Sequence, residues 1–464
     1  MKKRTHSLFI IVFWLITLVL GSCAPPADIQ PTTPETEPVV IEETQPIEEV
    51  EETQPVEPVE VSVKVLQSEQ ERDLNPAVDQ SDLDQLVADN NDFAWAFFNQ
   101  ARSQDGNLFY SPYSISVALA MTYAGAREQT ATQMAETMHY GLPQETLHPA
   151  FNALDLALQG SGEEYGELQP FELNIANAIW GQIGHPFLPA FLDTLALNYG
   201  AGLRLTDFVN ALEASRQEIN QWVEDQTKGR IKDLIPEGSL METTRLVLTN
   251  AIYFKADWIL PFSNELTMEK PFNRLDGSQV TVDMMAQSEE HMYLYAAGDG
   301  YQAIELPYIG NQVSMLMIVP DQGNYEAIEE QIDTTMMDSI TTQMQEQMVD
   351  LSMPKFSFTW KLNLKEALEV MGMHDAFQAQ LADFSGMDGE KDLHIQNIFH
   401  KAFVAVDEKG TEAAAATAVD MSLEAMMEPG VELLIDRPFI FLIRHQQTGT
   451  VLFAGRMLDP SEGD

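Results

Sequence analysis

The sequence predicts one large α+β domain, and three observations predict it. Helical periodicity crowds into the first third of the globular part, while strand-like runs fill the remainder. The two patterns do not alternate, which argues against a parallel sheet wrapped in helices. No second linker interrupts residues 71–464, so one domain is expected there.

The elements follow in chain order. "LDQLVADNNDFAWAFFNQARS" has helical spacing that turns Leu86, Phe93, Phe97 and Phe98 toward a core. "NLFYSPYSISVALAMTYAGA" begins as a short strand, turns at Ser111-Pro112, and continues as an almost wholly apolar, hence buried, helix. "ALEASRQEINQWVEDQTKGRIKDLI" reads as a helix followed by a turn at Gly229. "RLVLTNAIYFKADW" is a strand buried on both faces. "YQAIELPYIGNQVSMLMIVP" gives two strands joined by Gly310-Asn311. "DLHIQNIFHKAFVAVDEKG" is a further strand, and "PFIFLIRHQQTGTVLFAGRML" is a hairpin around Thr448-Gly449.

The N-terminus is of another kind. A basic start at Lys2, Lys3 and Arg4 precedes an apolar stretch of about a dozen residues, Leu8 to Leu20, then small residues and Cys23. Residues 1–22 read as a secretion signal, too short to span a bilayer comfortably. "LGSC" resembles a bacterial lipoprotein cleavage box, which implies cleavage before Cys23 and a lipid on its sulfur. A plain signal peptide with an incidental cysteine is the alternative. Residues 23–70 are rich in Pro, Glu, Thr and Val with a loose "EETQP" repeat. Prolines break ladders and helices while the acids repel one another, so this range is expected to be an extended stalk. The expected location is therefore extracellular, at the cell surface, with the membrane reached through the lipid anchor.

Cys23 is the only cysteine, so no internal disulfide supports the fold. A net charge of −47 argues against a nucleic-acid partner, because an acidic body repels phosphate. The chain is expected to be a monomer, without cofactor or metal. The sequence has no nucleophile elbow, zinc-binding helix motif or Gly-rich phosphate loop, and its nine histidines are scattered. Ser352 to Lys355, "SMPK", matches a penicillin-binding S-x-x-K pattern formally. That chemistry needs a helix start under the serine, whereas Pro354 and the alternation around it favour a strand.

Residues 411–424 read two ways. As a strand, one face is Thr411, Ala413, Ala415, Thr417, Val419, Met421 and Leu423, without a charge. The other face carries every acid: Glu412, Asp420 and Glu424. As a helix, Asp420, Glu424 and Glu428 align, as do Val419, Leu423 and Met427. Local pattern alone favours the helix.

Five segments in order change that balance: "NLFYSPYSISVALAMTYAGA", "TKGRIKDLI", "LVLTNAIYFKADW", "FHKAFVAVDEKGTEAAAATA" and "DRPFIFLIRHQQTGTVLFAGRMLDP". Together they resemble the serpin family, from about residue 80 to the end. The resemblance implies three β-sheets, eight to nine helices and an exposed reactive-centre loop near the C-terminus. Glu408, Gly410, Thr411, Glu412, Ala413, Ala414, Ala415 and Ala416 look like the hinge of inhibitory members. Ser111, Ser114, Asn250 and His400 look like the shutter cluster beneath the main sheet. Trp258, Lys355 and Glu408 resemble the breach where the loop first enters, with a Lys355–Glu408 pair holding that end shut. Read without the resemblance, Ser111 caps a helix and Trp258 fills the core.

The activity so implied is suicide inhibition of a serine protease, not catalysis. The protease cuts the loop and forms an acyl-enzyme. The freed hinge side then inserts as a new central strand and carries the protease to the far pole. No Lys or Arg lies between Gly410 and Asp436, so a trypsin-like target is not expected. The family's usual loop length puts the scissile bond at Glu424–Ala425. The stretch before "RPF" is longer than usual, so Leu423, Met426 or Met427 are alternatives. Glu424 suits a glutamyl-specific protease; the others suit chymotrypsin-, elastase- or subtilisin-like enzymes. The rival functions are a serpin-fold binding or structural protein that traps nothing, and an unrelated surface hydrolase.

Overall fold

The computed structural model describes residues 63–160, 171–411 and 430–463. Cys23, residues Glu412, Ala413, Ala414, Ala415 and Ala416 of the hinge, and Leu423, Glu424, Ala425, Met426 and Met427 lie outside the described residues. Ten α-helices and one short 3-10 turn occur among those described, and the helices concentrate toward the N-terminal side. In the helix Gln80–Ala101, Leu86, Phe93, Phe97 and Phe98 are all buried, as their spacing predicts. The helix Pro112–Tyr123 begins with proline after an extended Ser111, whose side chain accepts a hydrogen bond from Ser114 N. Nearly every residue of that helix is buried, because it runs beneath the main sheet and packs against its central strands.

The main sheet has seven strands. Its centre is a parallel pair, Leu246–Asp257 and Asn397–Val406, matched from Asn397 opposite Val247 to Phe403 opposite Tyr253. Antiparallel neighbours flank the pair: Glu172–Gln182 on one side and Phe356–Asn363 on the other. Parallel neighbours need a long crossover, and here six strands of the second sheet lie between them in sequence. Leu246–Asp257 is buried along almost its full length, in keeping with a strand covered on both faces. At one end the parallel pair diverges, and the two-residue strand Gly410–Thr411 sits between, antiparallel to both.

The second sheet has ten strands. Tyr301–Pro307 and Val313–Pro320 form a hairpin whose Gly310 and Asn311 both have positive φ. Phe439–His445 and Val451–Met457 form another, with Gly449 at φ 77°. The strand Gln345–Pro354 pairs with His291–Gly298 along its first half and with Gln279–Ala286 along its second. It also runs parallel to Val431–Leu434. That strand joins the remaining two of the three implied sheets into one hydrogen-bonded network. The ten helices include the four-residue Ser385–Asp388, shorter than any countable from sequence. Ser352 lies inside Gln345–Pro354, on a strand as its alternation predicts.

Within the range read as stalk, a short piece of regular structure occurs. Lys64–Leu66 adds an antiparallel edge strand beside Leu203–Thr206. Just beyond, Arg72 binds Asp155 at 2.6 Å and Asn152 at 2.8 Å.

Candidate functional site

The mouth of the main sheet is built on a tight reversal. After the strand Asn397–Val406, Asp407 N donates to Gly410 O at 2.9 Å, and the Asp407 carboxylate accepts from Lys409 N at 2.8 Å. The reversal lays Gly410 and Thr411 against Asp257 and Ala256. Only glycine fits at 410: a Cβ there would stand 2.1 Å from the carbonyl oxygen of Ala256. Thr411 is buried, and its hydroxyl shares a 2.7 Å hydrogen bond with Tyr308.

Trp258 clasps the reversal. Its backbone N–H donates to Lys409 O at 2.7 Å and its indole N–H to Asp407 O at 3.1 Å. The indole stacks on Tyr308, with ring centroids 4.4 Å apart. Glu408 is buried. It accepts from Lys355 Nζ at 2.9 Å and from Thr267 Oγ1 at 2.8 Å, while its own carbonyl accepts from Phe262 N. Burial pushes its carboxyl up, but the bonds from Lys355, its own backbone N–H and Thr267 outweigh burial and hold it below the ordinary range. The Asp257 carboxyl moves the other way, raised by burial with Lys255 opposing and Asp407 adding to the rise. The structure thus brings together Trp258, Lys355, Glu408, Gly410 and Thr411.

A second cluster lies midway along the same strands. Asn177, Asn250 and His400 stand opposite one another on three adjacent strands. Asn250 Nδ2 donates to Asn177 Oδ1 at 2.7 Å and to Ser114 Oγ at 2.8 Å, on the helix beneath. Ser114 Oγ in turn donates to Asn177 Oδ1 at 3.1 Å. Ser111 joins through the backbone: its hydroxyl accepts from Ser114 N and donates to Leu452 O at 2.6 Å. With its amide N–H groups spent on Ser114 and Asn177, Asn250 accepts from His400 Nδ1 through Oδ1. His400 Nε2 is buried with no hydrogen-bond partner in the structure. Burial lowers the His400 pKa to about 3, so the ring is neutral at physiological pH.

Asn177, Thr267 and Tyr308 escaped the sequence reading. Asn177 was the most findable of them: it is a polar residue in the apolar strand run "NIANAIW". Thr267 and Tyr308 carry no local signal, since their roles come from what the fold sets opposite them.

A closed sheet whose parallel central strands already hold the start of a following segment between their ends defines a strand-accepting protein. Its relatives are of one kind. The family described as Serpin (serine protease inhibitor) matches residues 88–460. The chain is 39% identical over 360 residues to a leukocyte elastase inhibitor of Xenopus laevis, covering 76% of this chain and 93% of that one. It is 40% identical over 377 residues to an uncharacterised serpin-like protein of Thermococcus kodakarensis, covering 80% and 85%. The thermophilic serpin tengpin, solved in its native state, superposes with a TM-score of 0.72 at 26% identity, covering 85% and 97%. The chain belongs to the serpin family, a family of protease inhibitors rather than enzymes.

Proposed function

We propose that this chain inhibits a serine protease as a suicide substrate. One observation carries the reading. The strands Leu246–Asp257 and Asn397–Val406 are paired directly with each other, while Gly410–Thr411 already occupies the space between their diverging ends. The next strand is therefore threaded but not inserted. In sequence, Ala413 to Ala416 and Thr417 follow, small enough to enter behind Thr411.

The target's serine Oγ attacks the carbonyl carbon before the scissile bond, and the acyl ester forms as the peptide C–N bond breaks. The amine on the far side takes the proton and leaves. Freed of that tether, residues 411–424 insert as a central strand of roughly 46 Å. The attached protease moves with them and its triad is distorted before water releases it. The scissile bond is Glu424–Ala425, with Leu423, Met426 or Met427 as the residue before it under a shifted register. The target is then a glutamyl-specific or a chymotrypsin-, elastase- or subtilisin-like protease. The protein is secreted, monomeric, and held at the cell surface by a lipid on Cys23.

The test is incubation of the full chain with subtilisin, elastase, chymotrypsin and a glutamyl endopeptidase, followed by denaturing gels. A covalent complex that survives boiling is the expected outcome, and mass spectrometry of the released fragment fixes the bond. Loop cleavage by each protease without a complex would instead mean a serpin-fold binding protein.

A further inference from the structure

The geometry points to a divalent-cation site made by His185, Asp388 and Asp392, at the end of the main sheet away from its mouth. His185 follows the strand Glu172–Gln182, whose Gly181 pairs with Leu246. Asp388 and Asp392 precede the strand Asn397–Val406, whose Asn397 pairs with Val247. The three residues thus come from opposite sides of the line where the parallel strands meet. One potential ligand atom from each lies within 4.8 Å of the others.

The first two residues are held in place. The His185 ring sits edge-on to Phe187 with centroids 5.2 Å apart, and its Nε2 is 2.7 Å from Asp388 Oδ2. The Asp388 side chain is only 1% exposed, and its other oxygen accepts from Glu390 N at 2.8 Å. Leu188 N donates to Met387 O at 2.7 Å, stitching the two loops together beside the site. Asp392 is exposed and gives an ion its way in. These are the supports that fix ligand orientation in metal sites.

The donor set selects the ion. One imidazole and two carboxylates without a thiolate suit zinc rather than calcium, magnesium or copper(I). Tetrahedral zinc holds its ligand atoms about 2.0 Å away, hence about 3.2 Å apart. His185 and Asp388 need open by only about half an ångström. The ion takes the place of the hydrogen between them: a neutral ring carries that proton on Nδ1 instead, a charged ring releases it to solvent, and water completes the shell. The ion brings the two side-chain carboxyl groups a compensating charge.

Binding needs only these residues, whereas its effect on relaxation rests on the proposed strand insertion. A strand entering along the whole gap moves its sides apart by about 4.8 Å, which pulls His185 away from Asp388. Zinc would thus clamp the uninserted form.

The experiment is calorimetric titration of the untagged, chelator-stripped full chain with zinc chloride. One zinc per chain is expected, with affinity at least about tenfold weaker in Asp392→Asn and in His185→Gln. Asp392 is exposed, so its variant folds, which circular dichroism verifies. Chain cleaved in its reactive loop should bind zinc at least about tenfold more weakly than intact chain. No uptake by the wild type, or uptake that neither substitution weakens, overturns the site. Equal affinity in intact and cleaved chains overturns the clamp. A chain that binds zinc yet forms no protease complex would overturn the proposed function and leave the site standing.

Discussion

His400 carries the sharpest consequence at the scale of single residues. Its ring is neutral in the fold, with a pKa lowered to about 3, whereas an exposed histidine titrates near 6.5. The unfolded chain therefore takes up a proton below about pH 6.5 that the native chain refuses. Stability from this residue is complete above that pH and falls by about 1.4 kcal/mol per unit down toward pH 3. Between pH 7 and 5 the loss is about 2 kcal/mol. Urea unfolding at those two pH values should show it, and His400→Gln should lose about 2 kcal/mol less than the wild type. His148, lowered by burial to about 4, acts alike in both chains and cancels. Identical pH slopes in the two chains would contradict the neutral, buried ring. Glu408 follows the same rule for a carboxyl held low: its contribution is present above the ordinary glutamate range and disappears as acid protonates it.

The decisive contact between elements is the parallel pair. Its ladder must open for any strand to enter, and a covalent link across it would forbid that. Leu248 and Ile398 are register partners within one buried core cluster. Adjacent strands hold such partners within reach of a disulfide. The double substitution Leu248→Cys and Ile398→Cys, oxidised, should give a chain whose loop is cut without trapping the protease. Reduction should restore the complex on a denaturing gel. Trapping by the oxidised chain would show that the pair need not part. The hairpins at Gly310-Asn311 and Thr448-Gly449 were legible from their turn residues alone, because glycine and asparagine accept the positive φ found at Gly310, Asn311 and Gly449. The pairing of Gln345–Pro354 with three other strands was not, because nothing in a strand's own residues names its partners.

For the whole molecule, the uninserted sheet is the less stable arrangement under the proposed mechanism. Insertion completes two ladders and buries the uncharged face that begins at Thr411. Chain nicked in the loop by any protease and then heated should melt well above the intact chain, by tens of degrees if insertion is complete, since about 3 kcal/mol already shifts a large domain by roughly 6–12 °C. Circular dichroism against temperature reads this directly, and an unchanged midpoint would mean that the fold stores nothing.

The amino-acid order settles what depends on neighbours in the chain. It sets which runs are helix or strand, which face of Gln80–Ala101 is apolar, and the tiny side chains after Gly410. Those properties follow from periodicity and residue volume, and both are local. The helix-favouring pattern of 411–424 shows the limit, because Thr411 is in a strand where two distant strands supply its partners. Folding alone decides that Asn177, Asn250 and His400 form one row, that Tyr308 meets Thr411, and that Lys355 and Thr267 both reach Glu408. A buried polar group must find its partner wherever the backbone brings one, and that place is set by tertiary packing rather than by proximity in sequence.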